Sequence, residues 1–183
     1  MIKQFCTAFI SAFEYHKNDF VWTNDSVLGT TVIESYIYPF IAKHYDLYLI
    51  RNFPADGTLY DKNAVDKCLT TGKGYPDPDS ALAVIEHENK YKTTGTEMQQ
   101  LVNWNRQLNV LITYCPGSDH DQLNWLSETF GPKIANLEFK ANTYLCILPS
   151  DHMGNKTKPF REWWRFFEWN KQSIEFEQVS SQP

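Results

Sequence analysis

The stretch Ala81-Leu82-Ala83-Val84-Ile85-Glu86-His87-Glu88-Asn89 decides the fold. Its apolar start predicts a strand, and because successive strand side chains alternate faces, Leu82, Val84, Glu86 and Glu88 project to one side. A face that should be buried therefore ends in two acids. Two like charges out of water are costly without a compensating cation, and a divalent metal held by oxygen ligands is the simplest compensation. The alternative is a strand that emerges into solvent at Glu86 and leaves both acids hydrated at a sheet edge.

Neighbouring segments give this strand its setting. Upstream, Gly74-Tyr75-Pro76-Asp77-Pro78-Asp79-Ser80 is turn-rich and carries two more acids. Downstream, Thr94 or Thr96 caps a predicted helix through about residue 107, and residues 109–115 read as a second buried strand, parallel to the first. Strand ends that feed such a crossover are where open α/β sheets place their sites. Along one straight strand Asp79 would fall roughly 23 Å from Glu86 and on the opposite face. Pro76 and Pro78 permit a reversal that returns Asp77 toward Glu86 instead. Asp61 and Asp66 would take its place if the neighbouring strand lies further upstream.

Pro76-Asp77, a spacer, then Glu86-His87-Glu88 followed by a helix and a strand resembles the PD-(D/E)xK nuclease superfamily over about residues 25–115. The resemblance implies a restriction-endonuclease-like core with Asp77, Glu86 and Glu88 as catalytic residues. Asp77 and Glu86 would then be ligands of Mg²⁺, with Mn²⁺ as its substitute. Glu88 stands where the superfamily has its lysine, as in some restriction-type members; it would hold a second metal or orient the attacking water, and Lys90 or Lys92 would supply a cation just beyond the strand. Glu34 matches by position the glutamate that members contribute to the metal site from an N-terminal helix, although helix propensity alone also explains it. The activity implied is metal-dependent endonuclease or phosphodiesterase chemistry on nucleic acid, DNA before RNA. An inactive nuclease-fold module for binding or assembly is the alternative, kept open by the missing lysine, and a homodimer also stays open.

Composition bounds the rest. The chain has 183 residues and no linker-like tract, which predicts one domain over 1–183, with the nuclease-like core followed by a helical and aromatic extension over about 119–183. A net charge of −5 argues against a surface coated for unspecific nucleic-acid binding. The main basic segment runs from Lys156 to Trp169 and is predicted helical, with Phe160, Trp163, Trp164 and Phe167 along one stripe and Lys156, Lys158, Arg161 and Arg165 as phosphate contacts. Cys6, Cys68, Cys115 and Cys146 are widely separated in apolar surroundings and read as reduced core residues. No segment approaches the ~20 apolar residues of a membrane span, and the N-terminus lacks the uncharged core of a leader, so a cytoplasmic protein is expected. His87 faces away from Glu86 and Glu88, and no histidine pair has i, i+4 ligand spacing. The absence of a Gly-rich phosphate loop and of paired Cys-x-x-Cys motifs removes support for kinase, dinucleotide-binding and zinc-finger readings.

Helices are predicted over about 2–18, from about residue 24 through Ile33, Ile37 and Ile41 with Pro39 bending or ending it, and over about 122–130, closed by Gly131-Pro132. Strands are predicted over 46–53, stopped by Pro54, and over 144–149. This order makes a three-layer α/β domain with a central mixed sheet.

Overall fold

Apolar residues recur at helical spacing from the start of the chain. In the computed structural model, which describes residues 2–19, 30–88, 91–114, 119–137, 143–155 and 157–179, Ile2–Tyr15 forms α1 and buries Phe5, Cys6, Phe9 and Phe13. The predicted start of the second helix near Asn24 lies outside the described residues. Its later part is a π-helical turn over Ile33–Ile37 that runs on into α2 (Tyr38–His44). Pro39 does not end this helix. The backbone widens by one residue just before it, with the Tyr38 N–H bonding the Ile33 carbonyl, so the segment accommodates a residue that has no N–H to give.

The sheet has seven strands in sequential order: β1 (Tyr48–Arg51), β2 (Gly57–Tyr60), β3 (Ala83–Glu88), β4 (Leu108–Thr113), β5 (Thr143–Pro149), β6 (Trp164–Asn170) and β7 (Glu175–Gln178). The three central strands are parallel and both flanks are antiparallel. Between β2 and β3 lies α3 (Lys62–Thr71), whose N-cap Asp61 accepts the Ala64 N–H at 2.8 Å. The parallel pairs are joined through α4 (Thr94–Trp104) and α5 (Asp119–Ala135), since parallel neighbours need a crossover.

Period-two alternation divides the core between the two faces. Leu59, Ala83, Ile85, Val110, Ile112, Ile147, Trp164 and Phe166 pack against α1 and α2. Val84, Leu111, Cys146, Leu148, Phe167 and Trp169 pack against α4 and α5. Helix, sheet and helix thus make the three layers. Each fully buried aromatic or aliphatic side chain contributes about 1.5–3 kcal/mol relative to exposure. Phe9 shows how the first layer is fastened: its ring meets Trp164 edge-on at 5.3 Å and Phe166 at 5.8 Å.

Three segments depart from the sequence expectation. The aromatic segment expected as a helix over 156–169 is instead a 3₁₀ turn at Phe160–Glu162 followed by β6. Trp164 and Phe166 point to one face and Phe167 and Trp169 to the other, so period two, supported by antiparallel pairing with β5, prevails over the helical stripe. The expected strand over 46–53 is shorter and turns back as the β1–β2 hairpin. Finally, α5 runs through Gly131 and Pro132 to Ala135. Gly131 is a packing glycine rather than a stop: a Cβ there would lie 2.5 Å from the Trp169 ring. Replacing Gly131 with Ala is expected to destabilise the protein by about 1–3 kcal/mol through overpacking against β6, seen as a lower midpoint in urea unfolding followed by tryptophan fluorescence.

Candidate acidic site at the end of the central strands

Strand register brings an acid beside Glu86. Because Gly57 pairs with Ile85, Asp56 stands next to Glu86 at the mouth of the β2–β3 pair. Two hydrogen bonds fasten them reciprocally: the Asp56 N–H donates to Glu86 Oε2 at 3.3 Å, and the His87 N–H donates to Asp56 Oδ2 at 2.9 Å. Gly57 permits a close approach here, since a Cβ on it would come within 2.9 Å of the Tyr38 ring. Tyr38 is fully buried in the core on the α1–α2 face, and burial, then Asp56, Glu34 and Glu86, hold its phenol well above the usual range. From the π-helical turn Glu34 joins this edge, accepting Arg51 Nη2 at 2.9 Å. Burial raises the Asp56 carboxyl, the His87 amide partly lowers it again, and Glu34 and Glu88 add to the rise.

Glu86 itself is only 3% exposed, and its Oε1 meets no hydrogen-bond donor among the described residues. On the helix side Glu97, in the first turn of α4, comes within hydrogen-bonding reach of it, a contact that is a bond only while one carboxyl carries a proton. Gln100 Nε2 holds Glu97 Oε2 at 2.9 Å. The turn is pinned from below by the buried Thr94–Thr113 hydroxyl pair at 2.9 Å, and Thr113 is the β4 residue opposite Glu88. Burial first, then the charges of Asp56 and Glu97, push the Glu86 carboxyl up to about 8. Glu97 is likewise raised, by burial and then by Asp56 and Glu88. Glu88, half-buried, follows on the same face of β3.

Asp77 is not brought to this cluster. It is exposed, its carboxylate accepts the Asp79 N–H at 3.0 Å, and it caps the short turn Pro78–Ser80. That turn sits at the other end of β3, separated from Glu86 by the turn itself and about 10 Å of strand. The acid adjacent to Glu86 is Asp56. Three further acids near this region are also engaged elsewhere: Asp79 binds Arg106 at 2.5 Å, Asp61 caps α3, and Asp66 pairs with Lys62 at 3.6 Å on the surface.

The basic residues scatter. Lys90 and Lys156 lie outside the described residues, as does Cys115. Lys92 is exposed on the turn Tyr91–Thr93, and Arg161 is exposed on the turn before β6. Lys158 pairs with Glu162 at 3.1 Å. Arg165, expected beside Arg161 on a helix, is instead half-buried on β6 and donates to the Pro149 carbonyl at 2.7 Å. His87 does point to the opposite face, where its Nε2 lies 3.1 Å from the Tyr114 hydroxyl and burial pushes its pKa down to about 4. Cys6, Cys68 and Cys146 are buried.

Among the described residues no three acid, histidine or cysteine side chains have their ligating atoms already gathered at the spacing of a bound ion. No described helix is long and apolar enough to cross a membrane. No protein-family model, no curated protein and no solved structure matches the chain.

A raised carboxyl makes stability fall with pH. Between the unfolded value of 4.5 and the folded value of about 8, Glu86 keeps its proton only in the folded state, so the unfolded state gains by ionising and the protein loses stability across that window. Glu86→Gln is expected to flatten this slope and to exceed the wild type at pH 8.5 by on the order of 2 kcal/mol. Urea unfolding of wild type and Glu86→Gln at pH 5 and pH 8.5 checks it, the difference between the two cancelling the opposite slope that the lowered His87 imposes, and a difference equal at both pH values would contradict the assignment.

Proposed function

We propose that the chain is a metal-dependent phosphodiester hydrolase acting on nucleic acid, with a restriction-endonuclease-like core formed by the helix carrying Glu34, the β1–β2 hairpin and the β3–α4–β4 unit. The observation that carries this reading is the buried Glu86, held beside Asp56 with one carboxylate oxygen that meets no donor among the described residues. Buried like-charged carboxyls gather more often at sites that handle a cation or a proton than in purely structural cores.

The donor set fits Mg²⁺, or Mn²⁺ in its place. It is all oxygen and comes from Asp56 and Glu86, with Glu34 at the same edge. Such an ion, when bound, supplies an activated water and stabilises charge on the phosphoryl oxygens. The protein's own contribution is positional. The β2–β3 register and the two amide bonds hold Asp56 and Glu86 side by side, while Arg51 keeps Glu34 turned to the cluster. Glu88, two residues beyond Glu86 on the same sheet face, would orient the attacking water and take its proton. Standing where the superfamily has its lysine, it makes acid–base work by a carboxylate the corresponding role.

A second reading, a nuclease-fold binding module without catalysis, draws on the lack of a ready-made three-ligand cluster among the described residues. The hydrolase reading accounts for the same observation: without an ion, the carboxylates repel, and Glu86 and Glu97 relieve the repulsion by retaining a proton. Cleavage assays decide between the two. With Mg²⁺ or Mn²⁺ and a panel of single- and double-stranded DNA and RNA, Asp56→Asn and Glu86→Gln are expected to lose on the order of 100-fold or more in rate, whereas Asp77→Asn stays within about twofold. A wild type that cuts no substrate in the panel would favour the binding module.

A further inference from the structure

We propose that Phe53 and Tyr75 are a stacking platform for unpaired bases, so that the strand entering the acid site is single-stranded nucleic acid. The inference rests on the nucleic-acid reading above and adds the form of the substrate.

Two aromatic rings are exposed beside the site. Phe53 and Tyr75 are 39% and 55% exposed, and they meet each other with ring centroids 4.8 Å apart and planes tilted by 30°. The pairs Phe9–Trp164 and Trp169–Phe176, by contrast, are buried. Phe53 belongs to the loop between β1 and β2 and precedes Asp56 by three residues, so their Cα atoms lie within about 10 Å of each other. That is a reach of only a few nucleotides.

Neither ring is needed to hold its own segment. The Asn52 N–H donates to the Asp56 carbonyl at 3.3 Å, and Ala55 is buried in the α4–α5 core, which fixes the hairpin loop. On the other side, Cys68 Sγ donates to the Lys73 carbonyl at 3.0 Å and Pro76 is buried, so the chain is anchored before and after Tyr75. Both rings thus stand on fixed backbone and have only two side-chain torsions to order when a partner arrives. Their faces accept any base, because stacking requires no particular hydrogen-bonding edge.

Charge selects the single strand. A duplex binder draws its affinity from several phosphates neutralised at once by lysine and arginine. This chain carries a net charge of −5, and its expected phosphate contacts are dispersed: Lys92 and Arg161 stand on separate turns, Lys158 pairs with Glu162, and Arg165 lies in the sheet layer. Stacking on an aromatic ring instead contributes roughly 5- to 100-fold in affinity per base, and it is open without cost only to bases that are not already stacked and paired in a duplex.

Fluorescence anisotropy tests the platform. Glu86→Gln, which the hydrolase reading makes inert, is titrated in Mg²⁺ buffer with three short probes: an oligothymidylate, an abasic strand of the same length, and a duplex of the same length. The oligothymidylate is expected to bind at least about 10-fold tighter than either of the others. Adding Tyr75→Ala should weaken the oligothymidylate about 10-fold while leaving the abasic strand and the duplex where they were, and Tyr75→Phe should restore it. An oligothymidylate bound no tighter than the abasic strand, or unmoved by Tyr75→Ala, would overturn the platform, and the hydrolase reading would stand as long as the wild type cuts a nucleic acid. A wild type that cuts none removes the hydrolase, whereas base-dependent binding that is lost with Tyr75→Ala upholds the platform in either case.

Discussion

Glu86 is held out of water between the Asp56 amide just before β2 on one side and a second carboxyl on the other, and the surrounding architecture is what makes that tolerable. Ionising a carboxyl there costs several kcal/mol, a large share of the roughly 5–15 kcal/mol that keeps a typical domain folded. The position persists because β3 is an interior strand, clamped by β2 and β4 and covered on one face by α4, so Glu86 has little freedom to move outward. The cost is shared. Asp56, Glu97 and Tyr38 all have their proton affinities raised through burial and through neighbouring charge. Groups that hold protons more tightly than usual, gathered at one strand end, form a local environment in which a cation can replace protons, and such clusters occur more often at sites than in stabilising cores.

The central unit was legible because its pattern is local. Alternation across Ala83–Glu88, a capped helix and a second apolar run define strand, helix and strand without any knowledge of distant residues, and β3, α4 and β4 lie where that pattern puts them. The same alternation placed Glu86 and Glu88 on one face and His87 on the other. What was not legible is the partner acid. Asp77 follows α3 in the chain whereas Asp56 precedes it, and a search confined to the segment immediately before β3 passes over α3 entirely. No local signal marked Asp56: Gly57 pairs with Arg51 inside the sheet, so Asp56-Gly57 is not the two-residue turn that such a dipeptide usually makes, and the acid's place follows from strand register alone. For Glu97 only its place in a first helical turn was readable, which many surface acids share.

The C-terminal region shows a different limit. Its aromatic residues fit helical spacing and period-two spacing about equally well, because a run as dense as Trp163-Trp164-Arg165-Phe166-Phe167 satisfies either. Tertiary pairing decides. β5 offers an open edge after the two crossovers, and β6 closes it, burying Trp164 toward α1 and Phe167 toward α5. The basic residues of the segment follow the backbone: as a strand, it puts Arg165 into the sheet layer and leaves Arg161 on the preceding turn, so the two do not form a continuous basic ridge.

The π-helical turn at Ile33–Ile37 sets an angular phase. Upstream of it the helix presents Val32 and Ile33 to the core, and downstream it presents Ile37, Tyr38 and Ile41, so both halves bury apolar residues despite one extra residue between them. Without that residue, every downstream position would be rotated by about 100° relative to those upstream. Loss of a single residue there would let α2 keep its hold on the sheet while swinging Glu34 out of line with Arg51 and Asp56. The widened turn thus works as a mechanical offset: it lets one face of a helix serve the core and an adjoining direction serve the acids, two demands that a regular 3.6-residue repeat would place in conflict.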